Sequence, residues 1–167
     1  MDHRPLDISV EQAKLLGSAL RVMIIGQLVN EPKTSKQVAD QLGESGGNVH
    51  YHIKKLHDGG LLELVFEKQV GGVTEKYYKS KAKWFNSPGD TPVDQALRDD
   101  FDAKSSTALS LRLQLTTEQK NEIEDEFKAF LERWVEKTSR NDSNDSEEFS
   151  IGVKINSTQP KQQALEE

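Results

Sequence analysis

Ser45, Gly47, Asn48, His50, Tyr51, His52, Lys54 and Lys55 fall within one short stretch, and most of them carry hydrogen-bonding side chains. Asn48 has the amide geometry to pair with adenine. Tyr51 can pack on a thymine methyl or reach a phosphate, and Lys54 and Lys55 suit phosphate oxygens. Lys68 and Lys76, further along, have the same capacity. Ser45 and the free amides of a helix start can hold another phosphate. On a helix, Val49, Ile53 and Leu56 form an apolar stripe at i, i+4 and i+7. The opposite side then shows Gly47, Tyr51, Lys54 and Asp58, with Asn48 and Lys55 beside them and His50 and His52 at the flanks. Thr34, Ser35 and Lys36, at the start of the preceding helix, complete the candidate contact set.

Other chemistries fail on spacing. The histidines are His3, His50, His52 and His57, and there is no cysteine. That count excludes disulfides, thiolate metal sites, cysteine nucleophiles and thiol switches. On a helix His50 and His57 lie about 10 Å apart along the axis, and His50 and His52 point about 200° apart, so no pair converges on one ion. Gly71-Gly72 reads as a turn, and no nucleophile stands with a base and an orienting group. Neither an enzyme nor a cofactor is expected.

The elements that must hold these residues are marked by caps and periodicity. Ser9-Val10-Glu11-Gln12 is a capping box opening a short helix on Val10, Ala13 and Leu16, with Ile8 as a staple. Gly17 ends it and Ser18 caps a second helix on Leu20, Ile24 and Leu28, stopped by Glu31-Pro32. Thr34-Ser35-Lys36-Gln37 is a second capping box, and Gly43 a left-handed exit. Ser45 caps the fourth helix, which Gly59-Gly60 ends. Leu62 to Lys68 alternates as a strand, Val70-Gly71-Gly72-Val73 is a hairpin turn, and Glu75 to Ala82 returns. Helices, a short turn, then a glycine-tipped hairpin make a winged helix-turn-helix. In that arrangement one helix fits the DNA major groove and the preceding helix sets its angle.

Four stretches resemble the ArsR-like winged-helix repressors. They are Leu15 to Arg21, Thr34 to Gly43, Asn48 to Leu56 and Gly60-Leu61-Leu62, and the wing Val70 to Tyr78 is similar to one branch of that family. The resemblance covers about residues 8–85. It implies a dimeric, often effector-responsive transcription regulator whose DNA contacts fall on exposed residues of Ser45 to Lys55 and on the wing tip. This chain departs from the family's metal sensors, having no cysteine and no histidine after His57. Gly46-Gly47 is a further departure, since a helix-interior glycine costs roughly 1 kcal/mol relative to alanine. Either the helix start orders only on DNA, or the missing side chains let the backbone approach a phosphate closely.

The second half is different in kind. Ser87-Pro88-Gly89 marks a boundary. Thr91 and Pro92 open a helix on Val93, Ala96, Leu97 and Phe101. Leu109, Leu111, Leu113 and Leu115 alternate with polar residues as a strand. Thr116-Thr117-Glu118-Gln119 opens a long helix with Ile123, Phe127, Phe130, Leu131, Trp134 and Val135 on one side. Residues 139–147 are polar, acidic and expected to be mobile. Phe149, Ile151, Val153 and Ile155 alternate as a last strand. The expected class is α+β. Residues 1–86 form the DNA-binding unit, 87–157 a strand-helix-strand unit for dimerisation and a small apolar effector, and 158–167 a flexible tail.

Net charge follows the same division. The chain totals -6, split into +1 for residues 1–90 and -7 for residues 91–167. Glu44 to Lys83 holds 7 lysines and 5 acids, so the expected DNA face carries a small positive excess. No run is long enough to span a bilayer, and Met1 to Val10 lacks the apolar core of a secretory signal, which suggests the cytoplasm. The expectation is a dimeric repressor reading a pseudo-palindromic operator in double-stranded DNA. The competing reading is a protein-interaction module that keeps the winged shape without reading DNA; the acidic pI, the small local positive excess and Gly46-Gly47 favour it.

Overall fold

The computed structural model describes residues 5–87, 94–98, 100–139 and 145–159. The Pro88-Gly89 boundary, the Thr91-Pro92 helix start, Val93 and most of the C-terminal tail lie outside them. Strand β1 (Leu6–Asp7) leads into α1 (Val10–Leu15), α2 (Ala19–Leu28), α3 (Ser35–Leu42) and α4 (Gly46–Asp58). The hairpin β2 (Leu62–Val70) and β3 (Val73–Ser80) follows, then β4 (Phe85–Asn86), a 3₁₀ turn (Gln95–Leu97) and α5 (Thr117–Thr138).

Side-chain capping explains where the helices begin. Ser9 with Gln12, Thr34 with Gln37 and Thr116 with Gln119 each form both halves of a capping box. Gly43 closes α3 in the left-handed conformation at φ 67°. Ser18 departs from expectation: it stands at the N-cap of α2 but its hydroxyl makes no cap bond. The Ala19 N–H instead donates to a Glu148 carboxylate oxygen at 3.0 Å, a partner from the far end of the chain.

The core lies where the helical stripes converge. Ile24 and Leu28 of α2, Val38 and Ala39 of α3, and Val49, Ile53 and Leu56 of α4 are buried, with Leu61, Leu62 and Tyr78 closing the sheet side. Gly71 and Gly72 both have positive φ, at 56° and 81°, as a two-residue hairpin turn of the primed type requires. A bulge lies between Leu64 and Phe66. Lys33 pairs with Tyr78 in an isolated antiparallel bridge, giving the hairpin a third, one-residue strand. β1 runs parallel to β4 and ties the chain start to the end of the wing. Neither pairing is foreseeable from the sequence, because one or two residues carry no periodicity.

The second half corrects several expectations. Within the described part of 94–101 there is a single 3₁₀ turn in place of a helix. Arg98 bonds Asp100 two residues on, with Nε to Oδ1 at 2.8 Å, and side chains two apart on an α-helix do not face each other. Leu109 to Leu115 and Phe149 to Ile155 form no strand among the described residues. The long helix α5 is present, yet none of its side chains is fully buried. Ser139, placed in the expected mobile stretch, is buried and bonds the Val135 carbonyl at 2.6 Å.

α5 is fixed to the first half. Trp84 Nε1 donates to Glu132 Oε1 at 3.0 Å, and Lys83 pairs with the other carboxylate oxygen at 2.8 Å. Gly26 of α2 lies against Val135 of α5, where an added Cβ would sit 3.4 Å from Val135 Cγ1, at ordinary contact distance.

Candidate nucleic-acid interface

The expected face is built on α4. Its stripe of Val49, Ile53 and Leu56 packs inward against α2, α3 and β2, which turns the other side to solvent. Tyr51 is 52% exposed, and Lys54, Lys55, Asn48, Gly47 and His50 are exposed with it. The ring of Tyr51 carries the Lys55 ammonium 4.7 Å from its centroid. This cation–π contact orients both groups on the outer face. Lys54 and Lys36 have no ion pair among the described residues, so their charge is available to an anion.

The start of α4 is open backbone. The Ser45 hydroxyl accepts from the Asn48 N–H at 3.3 Å. A Cβ on Gly46 or Gly47 would meet nothing within 4 Å. The helix is already formed from Gly46 in the chain alone. The space over both glycines is open, so an added methyl would meet no neighbour within the chain. Gly47→Ala should stabilise the fold by about 0.5–1 kcal/mol by restricting the unfolded chain and favouring helix. The same change should weaken DNA binding. Denaturant unfolding and DNA titration of one variant check both signs.

α3 and α4 meet at the edge of this face. Ser35 Oγ lies 3.4 Å from His50 Nδ1, which joins two expected contact residues from different helices. Thr34 does not join them. It is only 8% exposed, and its hydroxyl accepts from the Gln37 N–H, so it starts α3 from beneath the surface. Asn48 is engaged on one side, donating from Nδ2 to Glu44 Oε2 at 3.2 Å. Glu44 is an addition to the expected set; its position four residues before Asn48 is the signal in the sequence that could have found it.

His52 is less accessible than its neighbours in the expected set. It is half-buried, edge-on to Tyr51 at 5.2 Å, and its Nδ1 has no hydrogen-bond partner among the described residues. Burial, then the charges of Arg21 and Lys55, hold its imidazole below the ordinary value of 6.5, with Glu44 opposing. Arg21, unassigned from sequence, is itself placed by donating from Nε to the Leu15 carbonyl. The unfolded chain thus binds a proton at His52 more readily than the folded one. The stability carried by neutral His52 is present above pH 6.5 and falls as pH drops through that value. His52→Gln should flatten this slope in thermal unfolding measured from pH 7.5 to 5.5.

The wing is less basic than its two expected lysines suggest. Lys76 Nζ pairs with Glu67 across the hairpin at 3.2 Å, and Lys68 stands opposite Glu75 in the register. Phe66 stacks on Tyr77 with centroids 4.4 Å apart and stiffens the hairpin. Lys36, Lys54 and Lys68 thus keep charge that no carboxylate among the described residues pairs, and two of the three stand on α3 and α4.

Two helices joined by a short turn, the second presenting a polar outer face, is the arrangement with which regulators enter the major groove. Residues 16–65 match the family model of a helix-turn-helix domain. The match runs from the end of α1 through α4 into β2, and so contains the whole outer face of α4. The helix-turn-helix domain is a DNA-binding architecture of transcription regulators, and here the hairpin adds a wing to it. The second half lies outside the matched residues. The search of curated proteins found no match to this chain. Among the described residues, no helix is long and apolar enough to cross a membrane.

Proposed function

We propose that this chain is a dimeric, ArsR-like transcriptional repressor that reads a pseudo-palindromic operator. One α4 enters each half-site, the half-sites lying about one helical turn, or roughly 34–36 Å, apart. Tyr51 and Asn48 read base edges. Lys54, Lys55 and Lys36 hold phosphates, while Ser35 with His50 and the bare start of α4 hold another. Lys68 reaches the neighbouring backbone from the wing. The protein acts in the cytoplasm as a binding protein without catalysis. Having no cysteine, it senses no metal through thiolates; its signal is a small apolar molecule taken up by the second half.

The observation that carries this reading is the exposed face of α4, with Tyr51 and Lys54 outward and unpaired by any carboxylate among the described residues. A second reading, an interaction module without sequence preference, draws on the ion-paired wing and on Glu44 at the helix start. Competition separates the two. The full chain is titrated onto DNA from upstream of its own gene, at physiological salt, against random duplex. A preference of about 10³ or more supports the operator reading, and equal weak binding to both supports the module.

A further inference from the structure

Two stretches of the second half have the residue pattern of strands and lack the partner of strands. Leu109, Leu111, Leu113 and Leu115 alternate with Ser110, Arg112 and Gln114, and all four leucines are exposed, Leu109 by 93% and Leu111 by 75%. Phe149, Ile151, Val153 and Ile155 repeat the pattern, with Phe149 exposed by 67%. Among the described residues, no backbone hydrogen bond joins either stretch to the rest of the chain. Period-2 alternation places the apolar set of each stretch on one face.

Both stretches are nevertheless held in place. The first runs into the Thr116 cap of α5. The second is tied at Glu148 to the start of α2, and Gly152 lies so close to Leu97 that a Cβ would fall 2.5 Å from its Cγ. Beside them, α5 exposes Phe127, Phe130 and Trp134 at i, i+3 and i+7, while its Val135 side meets α2. That exposed stripe borders an open cleft of about 440 Å³.

We infer that residues 109–115 and 149–155 are strands of a sheet completed by a second copy of this chain, with the exposed stripe of α5 packed beneath it. The inference rests on the dimeric reading above and supplies its surface. Main-chain donors and acceptors over seven successive residues are satisfied by another strand. A small apolar ligand offers none. The area also fits. At roughly 150–200 Å² per large apolar residue, the uncovered part of these eleven side chains is on the order of 1,000 Å² per chain. A typical monomer's largest apolar patch is about 300–600 Å², and a stable interface takes about 800 Å² from each partner. Two-fold pairing of identical stretches covers the same patch on both copies.

Sedimentation of the full chain over a range of concentrations, with peptide-resolved hydrogen exchange on the same samples, tests this. The expected result is a dimer in which the amides of 109–115 and 149–155 are protected, and lose that protection on dilution to monomer. Leu111→Asp should weaken the dimer by 100-fold or more without changing thermal unfolding of the helical core, because Leu111 touches little in its own chain. Ile151→Asp repeats the test from the other stretch. A monomer at every concentration overturns the proposal, and so does protection that persists in the monomer. A dimer that keeps both stretches exchanging, or ignores both variants, overturns the surface while leaving the dimeric reading intact. DNA binding is measured separately, so its failure would be distinguishable from each of these.

Discussion

Ile53→Ala is expected to lower the unfolding free energy by about 2–5 kcal/mol, more than any surface substitution in this chain should. Ile53 is 1% exposed and sits mid-way along α4, in the stripe that meets α2, α3 and β2. Truncation removes three carbons from a close-packed site and leaves a cavity that elements anchored on several sides cannot close. A small domain has about 5–15 kcal/mol in total, so at the middle of both ranges about a third of its margin disappears. Urea unfolding followed by circular dichroism measures the drop. The variant should still fold at low temperature, with α4 less firmly set, so DNA affinity falls as a consequence of stability.

Two residues before it, the expected outcome reverses. Tyr51→Ala combined with Lys54→Ala should leave unfolding nearly unchanged and weaken operator binding by roughly 2–5 kcal/mol, well over tenfold. Both side chains lie on the exposed face, and truncating them opens no cavity. Within the chain the double change removes the exposed cation–π pair of Tyr51 with Lys55, worth about 0.5–1 kcal/mol. Separately, Lys54→Ala should weaken binding to all sequences alike. Tyr51→Ala should weaken the operator more than random duplex. Ile53 and Tyr51 thus divide one helix into a face that holds the fold and a face that reads, and the two assays should respond in opposite proportion.

The first half was readable because its signals are local. A capping box needs four consecutive residues, and the stripe of α4 needs eight. Thr34 with Gln37 and Ser45 with Val49, Ile53 and Leu56 therefore announce both helices of the domain and the inward face of the second. Partners distant in sequence leave no such mark. The acceptor for the Ala19 N–H comes from Glu148, and the third strand of the wing is Lys33 alone. Within the candidate site, side-chain type was informative and engagement was not. Thr34 is spent on a cap, His52 is half-buried edge-on to Tyr51, and Lys76 is matched by Glu67. The alternation of Leu109 to Leu115 describes a face to be covered and carries no information on what covers it. A strand is defined by the hydrogen bonds of a neighbour, and among the described residues this chain provides none there.

Whether α4 holds DNA through its outer face is read from the salt dependence of operator binding, measured for the unaltered chain and for Tyr51→Ala combined with Lys54→Ala. Each phosphate neutralised contributes a slope of about -0.9 in log affinity against log salt. A steep fall is expected for the unaltered chain and, for the double variant, lower affinity with a slope reduced by about one. Binding that ignores both salt and the two substitutions would contradict it.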